Sequence, residues 1–368
     1  MTSRLLERIE AQIAAAADPV RRACWRAQRA IYLARQGSHD AVVAEVQAIR
    51  DTFGTRPQAE VTAWVSLAEA VNSFYSHPGP QALDRLKRAQ ALARAIGHVE
   101  LQALCAAWLA HLEFNANRME TMVQHAAEAL RLATPEHHAA LARASLVVAD
   151  AYHFAGRFDR AKDWYAAVRR HALAEGDDAM ISAMLHNVAA LRVNRVHLAD
   201  SFGEVRSDEL QRAEMETDSV ESYDFGIGTL SLKSFVPLLR AQLLAVKRRF
   251  GEAILILDAV DQEPDFLPRR EAQFRAERAW CRANIGDFEL ARGDIERARQ
   301  CLAVASDADD LAATHSRVAS TLRMLGDLET AEAHERSSRE ELRLHKEEQD
   351  SLLALVGAHF PMCPSSGQ

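Results

Sequence analysis

The small and hydrophobic residues of this chain recur in one spacing along most of its length. A turn-forming residue is followed two positions later by a hydrophobe and, three positions further, by a small residue, as in Gly156, Phe158 and Ala161. Self-similarity at a fixed period is typical of repeat architectures. Equivalent turn positions fall at Gly37, about residue 78 within "SHPGPQAL", Asn117, Asn194, about residue 248, Gly286 and Gly326.

The period predicts a pair of helices in each repeat. Successive turn positions are about 39 residues apart, with one longer step of about 54, and about 39 residues hold two helices of roughly 15 residues and two tight turns. Gly or Asn supplies the left-handed residue that ends the first helix, and Ala161 lets the second helix approach closely. A single helix pair cannot bury its apolar face, so the pairs must stack. We therefore predict an all-α solenoid of about eight helix-turn-helix repeats.

The stretch "ASLVVADAYHFAGRFDRAKDWY" resembles a tetratricopeptide repeat (TPR). Two departures from that family are a period near 39 where about 34 is usual and the lack of its terminal proline. The resemblance implies that the solenoid is a right-handed superhelix and that it is a protein- or peptide-binding array like those of bacterial regulatory proteins. HEAT-like or other helical repeats are the alternative. The residues that carry it are Ala149, Tyr152, Gly156, Phe158, Ala161 and Tyr165.

The longer step contains an acidic segment, for which we predict an added helix. Residues 200–224 include nine acidic and two basic side chains, so they carry most of the net charge of −8. The segment at 201–228 is expected to be a solvated helix that separates an N-terminal sub-array, 1–200, from a C-terminal one, 229–327. The alternatives are a hinge and an acidic docking surface formed by Glu214, Glu216 and Glu221.

The C-terminal segment 328–360 predicts one long helix. Heptad spacing runs from Leu328 to Val356, but polar residues interrupt it, and a continuous coiled coil requires more apolar positions. A capping helix is therefore favoured, with weak homodimerisation as the alternative. The segment also resembles the linker between TPR arrays and diguanylate cyclase domains of bacterial signalling proteins. Residues 361–368 are expected to form a disordered tail.

Composition narrows the classes of function. Hydrophobic residues make up 48% and charged residues 26% of the chain, which is ordinary for a globular protein. The negative net charge argues against nucleic acid as a partner, and no stretch approaches the roughly 20 apolar residues of a membrane span. The five cysteines are scattered without a C-x-x-C pair, which favours reduced thiols in a cytoplasmic protein.

The chain has none of the common catalytic or nucleotide-binding motifs, and we expect no cofactor, metal or catalytic centre. A metal held by His111, Asp150 and His153 is a disfavoured alternative. We expect a non-enzymatic protein that binds a peptide or protein segment, and the alternative is a small-ligand sensor that signals through its C-terminal helix. In a TPR stack, the first helix of each pair lines the concave groove. The predicted groove residues are His111, Phe114, Asn115, Asp150, His153, Gln242, Trp280 and Arg323.

Overall fold

The computed structural model describes residues 3–76, 79–231, 235–261, 270–304 and 307–363. Within these ranges every regular element is helical, which confirms the all-α prediction. The helices are α1 (Arg4–Ala15), α2 (Pro19–Arg35), α3 (His39–Phe53), α4 (Ala59–Ser76), α5 (Pro80–Ala95), α6 (Val99–Asn115), α7 (Met119–Leu132), α8 (His138–Phe154), α9 (Phe158–Glu175), α10 (Asp178–Ser201), α11 (Ser207–Ile227), α12 (Phe235–Val246), α13 (Phe250–Val260), α14 (Glu271–Asn284), α15 (Phe288–Cys301), a 3₁₀ turn (Leu302–Val304), α16 (Ala308–Met324) and α17 (Leu328–His359).

Consecutive helices pack as pairs, as the repeat predicts. The pairs α2–α3, α4–α5, α6–α7, α8–α9, α12–α13 and α14–α15 are in contact, and so are the first helices of neighbouring pairs, such as α6 with α8. Alanines such as Ala161 are fully buried where two helices approach. The stacked pairs thus share their apolar faces, as a solenoid requires.

Positive φ angles mark the predicted turns. Arg248, with φ of 62°, occupies the turn predicted near residue 248, a conformation that costs a non-glycine residue about 1 kcal/mol. Residues 77 and 78 of the predicted turn in "SHPGPQAL" lie outside the described residues. The confirmed positions are Gly37, Asn117, Gly156, Arg248, Gly286 and Gly326.

The turn predicted at Asn194 is wrong. Asn194 lies inside α10, which continues to Ser201, and the chain reverses at Gly203, where φ is 75°. The neighbours Val193 and Val196 are buried. An asparagine therefore ends a helix at residue 117 but not at residue 194, because the apolar face of α10 continues beyond it.

The chain divides into two compact units. The first comprises Met1–Met184, Ser222–Leu232 and Leu352–Gln368, and the second comprises Leu185–Glu221 and Lys233–Ser351. These borders differ from the predicted boundaries at residues 200, 228 and 327. The acidic segment forms α11, whose Ala213 and Val220 belong to an apolar core with residues of α10 and α12. Its role as a hinge or docking surface remains a prediction.

The first unit is closed by contacts between its N-terminal helices and the turn after α9. Leu5 N–H donates to the Gly176 carbonyl at 3.1 Å, and the Ser3 hydroxyl donates to the same oxygen. Leu5 also belongs to an apolar cluster with Tyr32 of α2 and Ala179 of α10. The first repeat therefore meets the end of the fourth within this unit.

Several heptad positions of α17 are buried within the chain. Ala331 and Ser338 are buried in the second unit, where the Ser338 hydroxyl donates to the Ala312 carbonyl at 2.8 Å. Leu352 and Val356 are buried in the first unit. The capping role and homodimerisation both remain predictions.

The chain after α17 continues along α8 and α9 in the first unit. The Tyr152 hydroxyl donates to the Phe360 carbonyl at 2.7 Å, and the Phe360 and Trp164 ring centroids are 6.0 Å apart. Cys363 is buried. Residues 364–368 of the predicted disordered tail lie outside the described residues.

Two glycine substitutions test the closure of the first unit. A Cβ on Gly176, where φ is +76°, would meet Arg4 Cβ at 2.8 Å, whereas a Cβ on Gly156, where φ is +74°, meets nothing within 4 Å. Gly156→Ala should therefore lower the free energy of unfolding by about 1 kcal/mol through backbone strain alone. Gly176→Ala should cost a further ~1–3 kcal/mol, because it forces α1 away from the turn. Urea denaturation monitored by circular dichroism measures the unfolding free energy of both variants. Equal losses of unfolding free energy in the two variants would contradict the closure.

Candidate functional site

The first helices of the four pairs in the first unit place a group of charged, polar and aromatic side chains together. It includes a side chain from each of α2, α4, α6 and α8 and the residue that precedes α10. We call this group the inner cluster. Its members are Arg35, Tyr75, Trp108, His111, Arg143 and Asp177.

Arg35 and Asp177 form a buried ion pair in this cluster. Both guanidinium nitrogens, Nη1 and Nη2, donate to the Asp177 carboxylate at 2.8 Å, in the bidentate geometry that arginine and carboxylate favour. Burial alone would lower the pKa of Arg35, but the Asp177 charge raises it. Asp177 also accepts a hydrogen bond from Met180 N–H at the start of α10. The charges of Arg35 and Asp177 therefore neutralise each other, and both carboxylate oxygens of Asp177 accept hydrogen bonds.

Arg143 is a second arginine in the cluster, and it lacks such a partner. It is 1% exposed, and its guanidinium lies over the Trp108 ring, 3.9 Å from the centroid. None of its three guanidinium nitrogens forms a hydrogen bond with a residue that the structure describes. Burial lowers the pKa of Arg143 and the Arg35 charge lowers it further, while Tyr75 and Asp177 oppose the shift.

His111 borders this charge and is neutral. Burial, together with the Arg143 charge, lowers its pKa to about 3. Its Nδ1 has no hydrogen-bond partner among the described residues, and its Nε2 is 3.5 Å from Nδ2 of Asn115. The inner cluster thus has one positive charge in excess and a neutral imidazole beside it.

Half-buried phenylalanines lie at the ends of three successive first helices. They occupy residues 74, 114 and 154, forty residues apart, at the ends of α4, α6 and α8. We call Phe74, Phe114 and Phe154 the aromatic row. The ring centroids of Phe114 and Phe154 are 6.4 Å apart, and Phe74 is 5.2 Å from His111. Phe74 therefore contacts the inner cluster, and all three rings of the aromatic row are partly exposed.

Asp150 and His153 were expected to face a solvent-filled groove, and the structure contradicts that expectation. They are 1% and 3% exposed. The Tyr165 hydroxyl donates to Asp150 Oδ1 at 2.8 Å and lies 3.2 Å from His153 Nδ1. The reason is that α9, which carries Tyr165, packs against this side of α8. Of the groove residues predicted in the first unit, Phe114 is half-buried and Asn115 is exposed.

The groove residues predicted in the second unit are also mostly buried. Gln242 is 7% and Trp280 8% exposed. The Trp280 ring lies near two guanidinium groups, with Arg317 at 3.6 Å and Arg248 at 5.1 Å from its centroid. Arg323 is exposed and pairs with Glu335.

A buried ionic network lies beside Trp280. Arg317 donates to Glu277 Oε2 at 3.0 Å and to Asp200 Oδ2 at 2.7 Å, and His197 Nε2 is 2.6 Å from Glu277 Oε2. Burial alone would raise the pKa of Glu277, but the charges and hydrogen bonds of Arg317 and His197 hold it at about 2. Glu277 therefore remains ionised at neutral pH and binds Arg317.

Removing the Glu277 charge should destabilise the protein. Glu277→Gln leaves Arg317 without one of its buried counter-ions, which typically costs about 3–5 kcal/mol, whereas the control Glu221→Gln removes an exposed charge and should cost less than ~1 kcal/mol. Because the folded pKa of about 2 is below the ordinary 4.5, the stabilisation is present above about pH 4.5 and declines towards pH 2. Urea denaturation at a series of pH values measures this, and identical pH profiles for wild type and Glu277→Gln would contradict it.

The three glutamates predicted as a docking surface lie on α11 and all form ion pairs. Glu216 binds Nε of Arg192 at 2.6 Å, and the Arg192 side chain is 2% exposed, so Glu216 neutralises a buried charge. Glu214 pairs with Lys247, and Glu221 pairs with Arg240. Reversing the charge at Glu216 would therefore disturb folding, and only Glu214 and Glu221 are suitable for testing the predicted docking surface.

An open groove of about 630 Å³ lies between α11, α12 and α13, and it is lined in part by Glu214. The exposed side chains of Met215 and Leu255 border it.

Within the described parts of the chain, no three His, Cys, Asp or Glu side chains lie where they could hold a metal ion. No helix in those parts is both long enough and apolar enough to cross a membrane.

No family model matches this chain, and no curated protein matches it. The structure is similar to the crystal structure of a Rap protein complexed with Competence and Sporulation Factor, with a TM-score of 0.57 and 14% identity over 93% of this chain and 92% of that one. The crystal structure of the apo form of RapI gives a TM-score of 0.47 at 11% identity, over the same shares of the two chains. The helix pairs, their turns and this likeness of fold together make the chain a TPR-like helical-repeat protein.

Proposed function

We propose that this protein is a non-enzymatic regulatory module of a bacterial cytoplasm that binds an extended peptide or a segment of another protein. The binding surface is the aromatic row of the first unit, with Asn115 at its edge. Binding would bury rings that are now partly in contact with water.

The aromatic row is the observation that carries this proposal. One repeat position holds phenylalanine three times in succession, and each ring is half-buried. Completing the burial of such a ring contributes about 1–2 kcal/mol. The 6.4 Å between the rings of Phe114 and Phe154 is close to the ~6.6 Å that two residues of an extended chain span. Alternate side chains of an extended peptide would therefore match the spacing of these two rings.

The likeness to the Rap protein supports a binding role. That protein was crystallised with Competence and Sporulation Factor, and its fold matches 93% of this chain. At 14% identity the likeness concerns the fold, so the partner must be sought through the chemistry of this chain's own side chains. A second candidate function is a small-ligand sensor, which the buried Arg143 of the inner cluster favours.

The double variant Phe74→Ala/Phe114→Ala tests the proposed surface. Immobilised full-length protein is incubated with a proteolytic digest of source-cell protein, and the retained peptides are quantified by mass spectrometry. Loss of two rings should lower retention by about tenfold or more, because each contributes about 1 kcal/mol or more.

The matched control is Leu173→Ala on α9 of the same unit, where the leucine is 52% exposed. This control should retain the same peptides as wild type, and thermal melts should show that both variants are folded. Equal retention by wild type and the double variant would reject the aromatic row as the binding surface.

A further inference from the structure

We propose that the inner cluster binds a carboxylate group of the ligand through the guanidinium of Arg143. This inference rests on the proposed function for the position of the ligand, because the aromatic row leads to the cluster. Its chemical basis is separate, since it depends on the charges and hydrogen-bonding groups of the cluster alone.

The charge balance of the inner cluster requires one negative charge. Arg35 and Asp177 neutralise each other through two hydrogen bonds, and His111 is neutral. Arginine stays protonated in proteins, so Arg143 adds one uncompensated positive charge at 1% exposure. Buried charges in stable proteins are paired. A carboxylate, which carries a single negative charge, balances the cluster, whereas a doubly charged phosphate would overcompensate it.

The orientation of Arg143 suits a carboxylate. One face of its guanidinium lies on the Trp108 ring, and stacking of this kind leaves the N–H groups at the edge of the guanidinium plane. These groups can donate two parallel hydrogen bonds to the two oxygens of a carboxylate. None of the three nitrogens meets hydrogen-bond geometry with a described residue, and the Tyr75 hydroxyl is the neighbouring group close enough to interact with the guanidinium.

The neighbours of Arg143 also suit a polar ligand. Nδ1 of His111 has no hydrogen-bond partner among the described residues. The Tyr75 hydroxyl lies beside Arg143 and opposes the lowering of the guanidinium pKa by burial, through its charge and a side-chain hydrogen-bonding interaction. Tyr75 and Phe74, whose rings contact Trp108 and His111 of the cluster, are half-buried. A ligand lying on the aromatic row can place a carboxylate at Arg143 by displacing these rings.

A stability measurement separates a binding role of Arg143 from a structural one. Arg143→Met keeps an unbranched apolar side chain on Trp108 and removes the buried charge. Replacing an unfavourable buried charge by a hydrophobic residue stabilises a protein, so the melting temperature should rise by a few degrees after exhaustive dialysis against carboxylate-free buffer. A lower melting temperature would show that Arg143 stabilises the folded protein by itself and would overturn the proposal.

Binding is tested with a source-cell digest and the same digest after methyl esterification, which converts its carboxylates to neutral esters. Wild type should retain the untreated digest peptides at least tenfold better than the esterified ones, and Arg143→Met should lose this preference. The control is Arg88→Met, which removes an exposed arginine of the same unit and should behave as wild type. Butyrate, a monocarboxylate with a single negative charge, is tested by calorimetry and provides the small-acid arm.

The outcomes distinguish the two sources of the carboxylate. Preference for the untreated digest without butyrate binding assigns the carboxylate to a peptide, and Arg143-dependent butyrate binding assigns it to a small organic acid. The inference would be overturned if butyrate did not bind and wild type retained both digests equally. It would also be overturned if butyrate did not bind and wild type and Arg143→Met retained the untreated digest equally. If only the Phe74→Ala/Phe114→Ala variant then lost retention, the proposed function would stand while the carboxylate site failed.

Discussion

The ion pair between Arg35 and Asp177 links two parts of the chain that are 142 residues apart. It joins the end of α2 to the start of α10, and it therefore fixes how the four helix pairs between them close. Both side chains are almost fully buried, so neither charge could be left alone without a large cost. The same closure brings Arg143 of α8 close enough to Arg35 for their charges to interact. The inner cluster thus depends on this pair.

The repeat period and its turns could be predicted from the sequence because they depend on local chemistry. A left-handed residue ends a helix wherever the chain must reverse, and Gly156, Gly286 and Gly326 do so with positive φ. The turn predicted at Asn194 was wrong because asparagine adopts the right-handed helical as well as the left-handed backbone conformation. The buried Val193 and Val196 continue the apolar face of α10 at this point. Borders between units depend on long-range packing, so the sequence pattern did not show them.

Only part of the candidate site could be predicted from the sequence, because the rest depends on packing between helices. Repeat position placed Phe114 and Asn115 on an accessible surface, but it also placed Asp150 and His153 there. A spacing rule assigns a side chain to a face of its helix and does not include the neighbouring helix, which here contributes Tyr165. The spacing of residues 74, 114 and 154 was present in the sequence, whereas the proximity of Arg143 to Trp108 follows from packing.

The buried arginines Arg317 and Arg143 of the two units differ in their counter-ions. In the second unit, Arg317 lies on Trp280 and binds both Glu277 and Asp200, so its charge is compensated and the network stabilises the fold. In the first unit, Arg143 lies on Trp108 in a similar way, but no described carboxylate receives its hydrogen bonds. The two arginines share an aromatic platform and nearly complete burial, and they differ in their counter-ions. A difference of this kind is typical of a binding site, where stability is lower until a ligand completes the set of interactions.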